Sequence, residues 1–189
     1  TNANAVYASG RFTGLGSENV TITDTGSAGD GNGVVVADLN TLNGYTTGNV
    51  DAGTISFLEG AISALNTAYV SASALGNGIS GLGNETVTID DTASIDDSAL
   101  NTLNGYTTGN VDATTAESFT GTISDLNTLY AAAASSGDGI KGLGSEAVTV
   151  TDSSVSASDL NTLNTSTDYN ITVNATAISG SLSDVSTLY

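Results

Sequence analysis

The chain has no cysteine, histidine, methionine, tryptophan or proline in its 189 residues. Without cysteine, disulfides and thiolate metal sites are excluded. Without histidine, the usual acid–base and metal-binding imidazole is missing. The absence of proline leaves every backbone amide able to donate, which suits tight β stacking, because proline cannot donate to a ladder. Positive charge is nearly absent as well: Arg11 and Lys141 stand against 20 acidic residues, and the formal net charge is −18. Such a surface repels phosphate backbones and anionic lipid, so nucleic-acid and peripheral-membrane partners are excluded and cations are the natural small partners. No apolar run approaches the ~20 residues of a membrane span, so no membrane insertion is expected. With neither a signal peptide nor a starting methionine, the chain reads as an excerpt or a mature fragment.

What is present is repetition. Hydrophobic residues make up 39% of the chain and are regularly spaced, which argues for a folded chain over a disordered tract. The segment GLGSENVTITDT at 14–25 returns as GLGNETVTIDDT at 81–92 and as GLGSEAVTVTDS at 142–153. ADLNTLNGYTTGNVDA at 37–52 returns as SALNTLNGYTTGNVDA at 98–113, and a looser copy begins SDLNTLN at 158. Tyr7, Tyr69, Tyr130 and Tyr189 are equivalent positions. They divide a single domain, 1–189, into repeat units 8–69, 70–130 and 131–189. A Gly-rich insertion, GSAGDGNG at 26–33, lengthens the first. Each unit carries L-N-T twice, at Leu39 and Leu65, Leu100 and Leu126, then Leu160 and a degenerate V-S-T at Val185, so a unit is two related turns of chain.

The periodicities predict parallel β coils with short helices on one wall, a repeat solenoid that winds right-handed. VTIT at 20–23 alternates, with Val20 and Ile22 inward and Thr21 and Thr23 outward; Val87 and Ile89, then Val148 and Val150, repeat the pattern. Val50, Val111, and Ile171 with Val173 mark a second extended stretch. Ile123, Leu126, Leu129 and Tyr130 share one face of a short helix. Ser124 and Asp125 are N-cap candidates there, and Gly44 and Gly105 are candidate C-terminal stops of the L-N-T helices. Leu39, Leu65, Leu100, Leu126 and Leu160 form the expected stacking core. Nothing marks a distinct cap at either end, so neighbouring repeats or subunits of the same protein are expected to continue the stack end to end.

Asn40, Asn66, Asn101, Asn127 and Asn161 hold one position in successive turns, and Asn4 fits the same register. They predict a structural ladder satisfying backbone groups along the stack, with a surface ligand row as the alternative. Glu18, Glu85 and Glu146 form one equivalent set, and Asp24, Asp91 and Asp152 another. Members of a set lie two coils apart, roughly 10 Å if coils are ~4.8 Å apart. That is too far for one calcium ion, whose ligands sit at about 2.3–2.6 Å. A solvated acidic face is the default for these rows. The candidate metal residues are Asp30, Asp138, Asp51 and Asp112, with Ca²⁺ the one cofactor left open and no other expected. The pairs Thr21/Thr23, Thr86/Thr88 and Thr149/Thr151 resemble ice-binding arrays, although threonine also favours any exposed strand face. An active site should break the repeat. The irregular stretches 26–34, 116–120 and 165–170 gather no pair of acids beside an aromatic platform, so no catalytic residue is expected.

The DLNTLNGYTTGNVDA and GLGNETVTIDDT blocks resemble repeat regions of giant secreted or cell-surface repetitive proteins, of adhesin or motility type, from marine cyanobacteria and proteobacteria. The resemblance implies an extracellular, cell-surface location and a non-enzymatic role as spacer, adhesin or filament-forming unit, with surface glycans as possible targets. The alternative is a binding module for calcium, glycan or ice that uses a repeated face.

Overall fold

The computed structural model describes residues 3–27, 33–72, 77–133 and 139–189. The fold is α/β, with several parallel sheets and seven short helices among the described residues. Two compact units account for it: Thr1–Ile89 with Tyr106–Gly109, and Asp90–Gly105 with Asn110–Tyr189.

In chain order, the first unit contains α1 (Ala3–Ala8), β1 (Val20–Thr21), β2 (Val34–Val35), α2 (Val36–Tyr45), β3 (Val50–Asp51), β4 (Phe57–Gly60), α3 (Ile62–Ala72), β5 (Ile79–Ser80) and β6 (Thr86–Ile89). Strand β3 pairs with both β1 and β5, and β4 pairs with both β2 and β6, always in parallel. Val20 lies opposite Val50, and Val50 opposite Ile79. Each partner is therefore roughly half a repeat further along the chain. Helix α2 packs against α1 on one side and α3 on the other.

The second unit continues with β7 (Ser94–Asp96), α4 (Asp97–Tyr106), β8 (Val111–Asp112), β9 (Ser118–Gly121), α5 (Ile123–Ala133), β10 (Ile140–Lys141), β11 (Ala147–Val150), β12 (Ser154–Ser156), α6 (Ala157–Asn164), β13 (Ile171–Val173), β14 (Ala177–Ser179) and α7 (Leu182–Leu188). Its ladders are also parallel: β7-β9-β11-β13, β8 with β10, and β12 with β14. Helix α6 packs between α5 and α7.

None of these helices exceeds 11 residues, too short to persist alone in water. In α2 to α6 the L-N-T leucines hold them: Leu39, Leu65, Leu100, Leu126 and Leu160 are all buried, beside Leu42, Leu103 and Leu163 one turn on. Each such side chain contributes about 1.5–3 kcal/mol of burial. Val87, Ile89, Val148 and Val150 face inward from β6 and β11, and their alternating threonines are only half-covered.

Local expectations differ from the structure in four places. Only Val20–Thr21 of VTIT pairs as a strand in the first copy. Gly44 and Gly105 lie inside α2 and α4 instead of ending them, and α2 stops at Thr46, which is extended (φ −119°). Thr122 receives the Asp125 amide at the start of α5, so Ser124 and Asp125 belong to the first turn. Residues 118–121, which overlap the stretch 116–120 that looks irregular in sequence, form strand β9 around the fully buried Phe119.

Candidate functional site

The most constrained chemistry is a carboxylate clasp built three times. In each GLG turn the two glycines have positive φ: 88° and 116° at Gly14 and Gly16, 85° and 135° at Gly81 and Gly83, and 86° and 122° at Gly142 and Gly144. L side chains rarely adopt that backbone, so the motif recurs as glycine. A Cβ on Gly81 would also meet the Gly53 backbone at 2.6 Å. The turn aims its amides at the glutamate that follows. Glu85 accepts from the amides of Gly83 (2.9 Å) and Asn84 (3.1 Å) and from the Tyr69 hydroxyl. Glu146 accepts from the Gly144 amide (2.8 Å) and the Tyr130 hydroxyl (3.2 Å). Glu18 accepts from the amides of Gly16 (2.7 Å) and Ser17 (3.1 Å) and from the Tyr7 hydroxyl.

Glu85 and Glu146 are 1% and 2% exposed, so the default reading of these acids as a solvated face is overturned. The tyrosines respond accordingly. Burial, and then the glutamate partner, pushes Tyr69 and Tyr130 well above the ordinary phenol range. The hydrogen bond to Glu18 is the main cause that raises Tyr7 to about 12, and the same bond holds Glu18 below the usual carboxylate range. Tyr7 stacks on Tyr45 and Tyr69 on Tyr106, with ring centroids 5.5 Å apart in both pairs. Ser166 replaces that second tyrosine in the third copy.

The YTTGN segments close the same turns from the other side. Thr46 and Thr107 donate their hydroxyls to the carbonyls of Glu18 and Glu85, both at 2.7 Å, and Thr167 donates to that of Gly144 at 3.2 Å. Gly48 and Gly109 pass so close that a Cβ would lie 2.2–2.3 Å from those glutamate carbonyls.

The asparagines link helix to helix. Asn4 donates to the Asp38 carbonyl, Asn40 to Ala64, Asn101 to Asp125, Asn127 to Asp159 and Asn161 to Asp184, at 2.8–3.2 Å. The acceptors lie within the first turns of the neighbouring helices, and the asparagines, Asn66 included, are half-buried.

Asp30 and Asp138 lie outside the described residues. Asp51 turns its carboxylate onto the Gly53 amide (3.0 Å), and Asp112 onto Thr114, with Lys141 its register neighbour on β10. Among the described residues, no three acidic side chains are grouped to hold a metal ion. Thr120, Thr149 and Thr172 lie side by side across β9, β11 and β13, a row ended by Asp96. In the first unit an open cavity of about 930 Å³ lies along β1 and β2, lined by Asn4, Ile22, Asp24, Val34, Asp38 and Leu39 among others.

One acid departs from the repeat. Asp97, the first residue of α4, is 1% exposed, and its Oδ2 has no hydrogen-bond partner among the described residues. Burial, followed by the charge of Asp125, raises it to about 7. Its neighbour Asp96 is held low, chiefly by the Ser98 hydroxyl at 2.5 Å. The available signal was the copy-to-copy comparison: Asp97 stands where the other copies have Val36 and Ala157.

No family model matches the chain, and neither the curated proteins nor the solved structures contain a match.

Proposed function

We propose that the chain is a non-enzymatic structural segment of a large extracellular bacterial surface protein, a spacer or filament-forming, adhesive unit wound as a right-handed solenoid. One observation carries this reading: each parallel ladder joins segments about half a repeat apart, with the same links recurring from copy to copy. A chain organised by neighbour-to-neighbour contacts suits a role measured in length and stiffness. The extracellular setting rests on the sequence resemblance and on a charge of −18, which keeps exported chains apart.

A second copy is the partner this arrangement favours. Strands β13 and β14 end their sheets beside the exposed Ile178, Leu182 and Tyr189, and β1 ends its own sheet beside the open cavity. Edge strands template further pairing. Screening the −18 charge with salt should promote it.

Duplicating residues 70–130 tests the solenoid directly. An added unit should preserve ellipticity per residue and leave the denaturation midpoint equal or higher. A chain that loses cooperative unfolding on duplication is a closed globule, and the reading is lost. Sedimentation and electron microscopy at raised ionic strength should reveal short rods.

A further inference from the structure

Asp97 occupies a slot that the other repeats fill with hydrocarbon. Val36, Asp97 and Ala157 each open a helix, and each is fully or almost fully buried. A glycine lies against each one. A Cβ on Gly60 would come within 2.6 Å of Val36, and one on Gly180 within 2.9 Å of Ala157. On Gly121 it would overlap the Asp97 carboxyl at 1.9–2.1 Å. The slot has the shape of methyl groups, yet here it holds a carboxyl.

Among the described residues no cation acts on that carboxyl, and the Ser98 amide alone favours its charged form. The charges that act on it are those of Asp125, Asp96 and Asp152, all acids. Asp125 accepts from the Thr122 hydroxyl (2.8 Å), and Asp152 from the Ile123 amide at the start of α5 (2.7 Å), so both are engaged elsewhere. Asp96 spends its Oδ1 on Ser98 and Ala99. An ionised carboxylate with a bare oxygen, packed on a glycine and repelled by the charges of other acids, is strongly disfavoured; a neutral carboxyl is tolerated.

We propose that Asp97 is a proton-operated latch: protonated, it seats the start of α4 on Gly121 and the first turn of α5, and ionised, it loosens that seat. The direction of pH dependence follows. The carboxyl stays protonated to about 7 in the fold, against an ordinary 3.8. Below pH 3.8 both states hold the proton and the contact is at full strength. Between 3.8 and 7 the unfolded chain releases it while the folded chain keeps it, so stability falls as pH rises. Above 7 the loss is complete. The folded-to-unfolded ratio falls tenfold per unit across that window, about 10³-fold at most.

The test uses the full chain with Asp97→Val, the residue of the first repeat, and Asp97→Asn. Urea unfolding from pH 4 to 8 should show wild type losing up to about 10³-fold in its folding constant relative to either variant, with other carboxylates cancelling in the comparison. Carbon-detected NMR of the Asp97 carboxyl in wild type should titrate near 7. Hydrogen exchange in α4 and early α5 should quicken above that pH. If Asp97→Val does not fold, Asp97→Asn and the NMR titration still decide. A carboxyl titrating below 5, or identical pH profiles for wild type and Asp97→Asn, overturns the latch. So does calcium restoring stability at pH 8 in wild type but not in Asp97→Asn, which would make the group a cation ligand.

Discussion

Replacing Glu85 by alanine isolates the clasp. The side chain is 1% exposed and accepts two backbone amides and one phenol. Hydrogen bonds to a charged group contribute about 1.5–3 kcal/mol each, so three would amount to several kcal/mol. The sum overstates the loss, because removing the carboxylate also removes its own desolvation cost. Glu85→Ala removes the clasp's only charge and leaves neutral donors without their acceptor, at about 1–3 kcal/mol for each that stays buried, so a loss of about 3–5 kcal/mol is expected. Glu85→Gln keeps one acceptor oxygen and should cost about 1.5–3 kcal/mol, the net loss of a single charged hydrogen bond. A domain has only about 5–15 kcal/mol to lose, so Glu85→Ala should move the urea midpoint far to the left. Far-UV ellipticity and tyrosine fluorescence report the transition in this tryptophan-free chain. The half-buried Glu18→Ala is the internal control, with the same type of contacts and far less coverage. A Glu85→Ala loss below about 1 kcal/mol, the net worth of one ordinary hydrogen bond, would refute the reasoning. So would a loss equal to that of Glu18→Ala.

Two further outcomes follow from the same geometry. Tyr7, Tyr69 and Tyr130 have raised folded pKa values, so their contribution to stability is intact below the ordinary phenol value of about 10 and is lost as pH climbs past it. Absorbance at alkaline pH should show three of the seven tyrosines ionising late and together with loss of ellipticity; one midpoint for all seven, with ellipticity unchanged, contradicts this. Leu126→Ala, at a fully buried site, should cost about 2–5 kcal/mol, whereas Asn101→Ala, which removes one amide-to-carbonyl link, should cost about 0.5–1.5. Urea unfolding of the two variants checks the ranking, and a larger loss for Asn101→Ala would place the main cohesion in polar links instead of leucine burial.

Much of the architecture was legible because the apolar spacing is local. The i, i+3 leucines place short helices over the L-N-T segments, and the alternation at Val87/Ile89 and Val148/Val150 places strands there. Strands β4 and β9 were less legible: FLEG and SFTG are four residues long and lack clean alternation. They exist because β6 and β11 offer them an edge in register, as Phe57 against Thr86 and Phe119 against Val148. The helix boundaries slipped for a similar reason. Gly44 stays helical because its turn is held in place around the buried Leu42, and Thr46 ends the helix by turning its hydroxyl to the Glu18 carbonyl.

The repeat, its half-period, the near absence of positive charge and the alternation of short helices with short strands were determined by the sequence alone. Each depends on residue identity and spacing, which the chain carries with it unfolded. The tertiary structure decided which acids lose their water. Glu85 and Glu146 look like Glu18 in sequence, yet they are buried where Glu18 stays half-open, because coverage comes from segments distant in the chain. Asp97 looks like one more surface acid beside Asp96. Its altered chemistry arises only when Gly121 packs against it and the fold brings the charge of Asp125 to bear, since desolvation belongs to the packed neighbourhood and not to the residue.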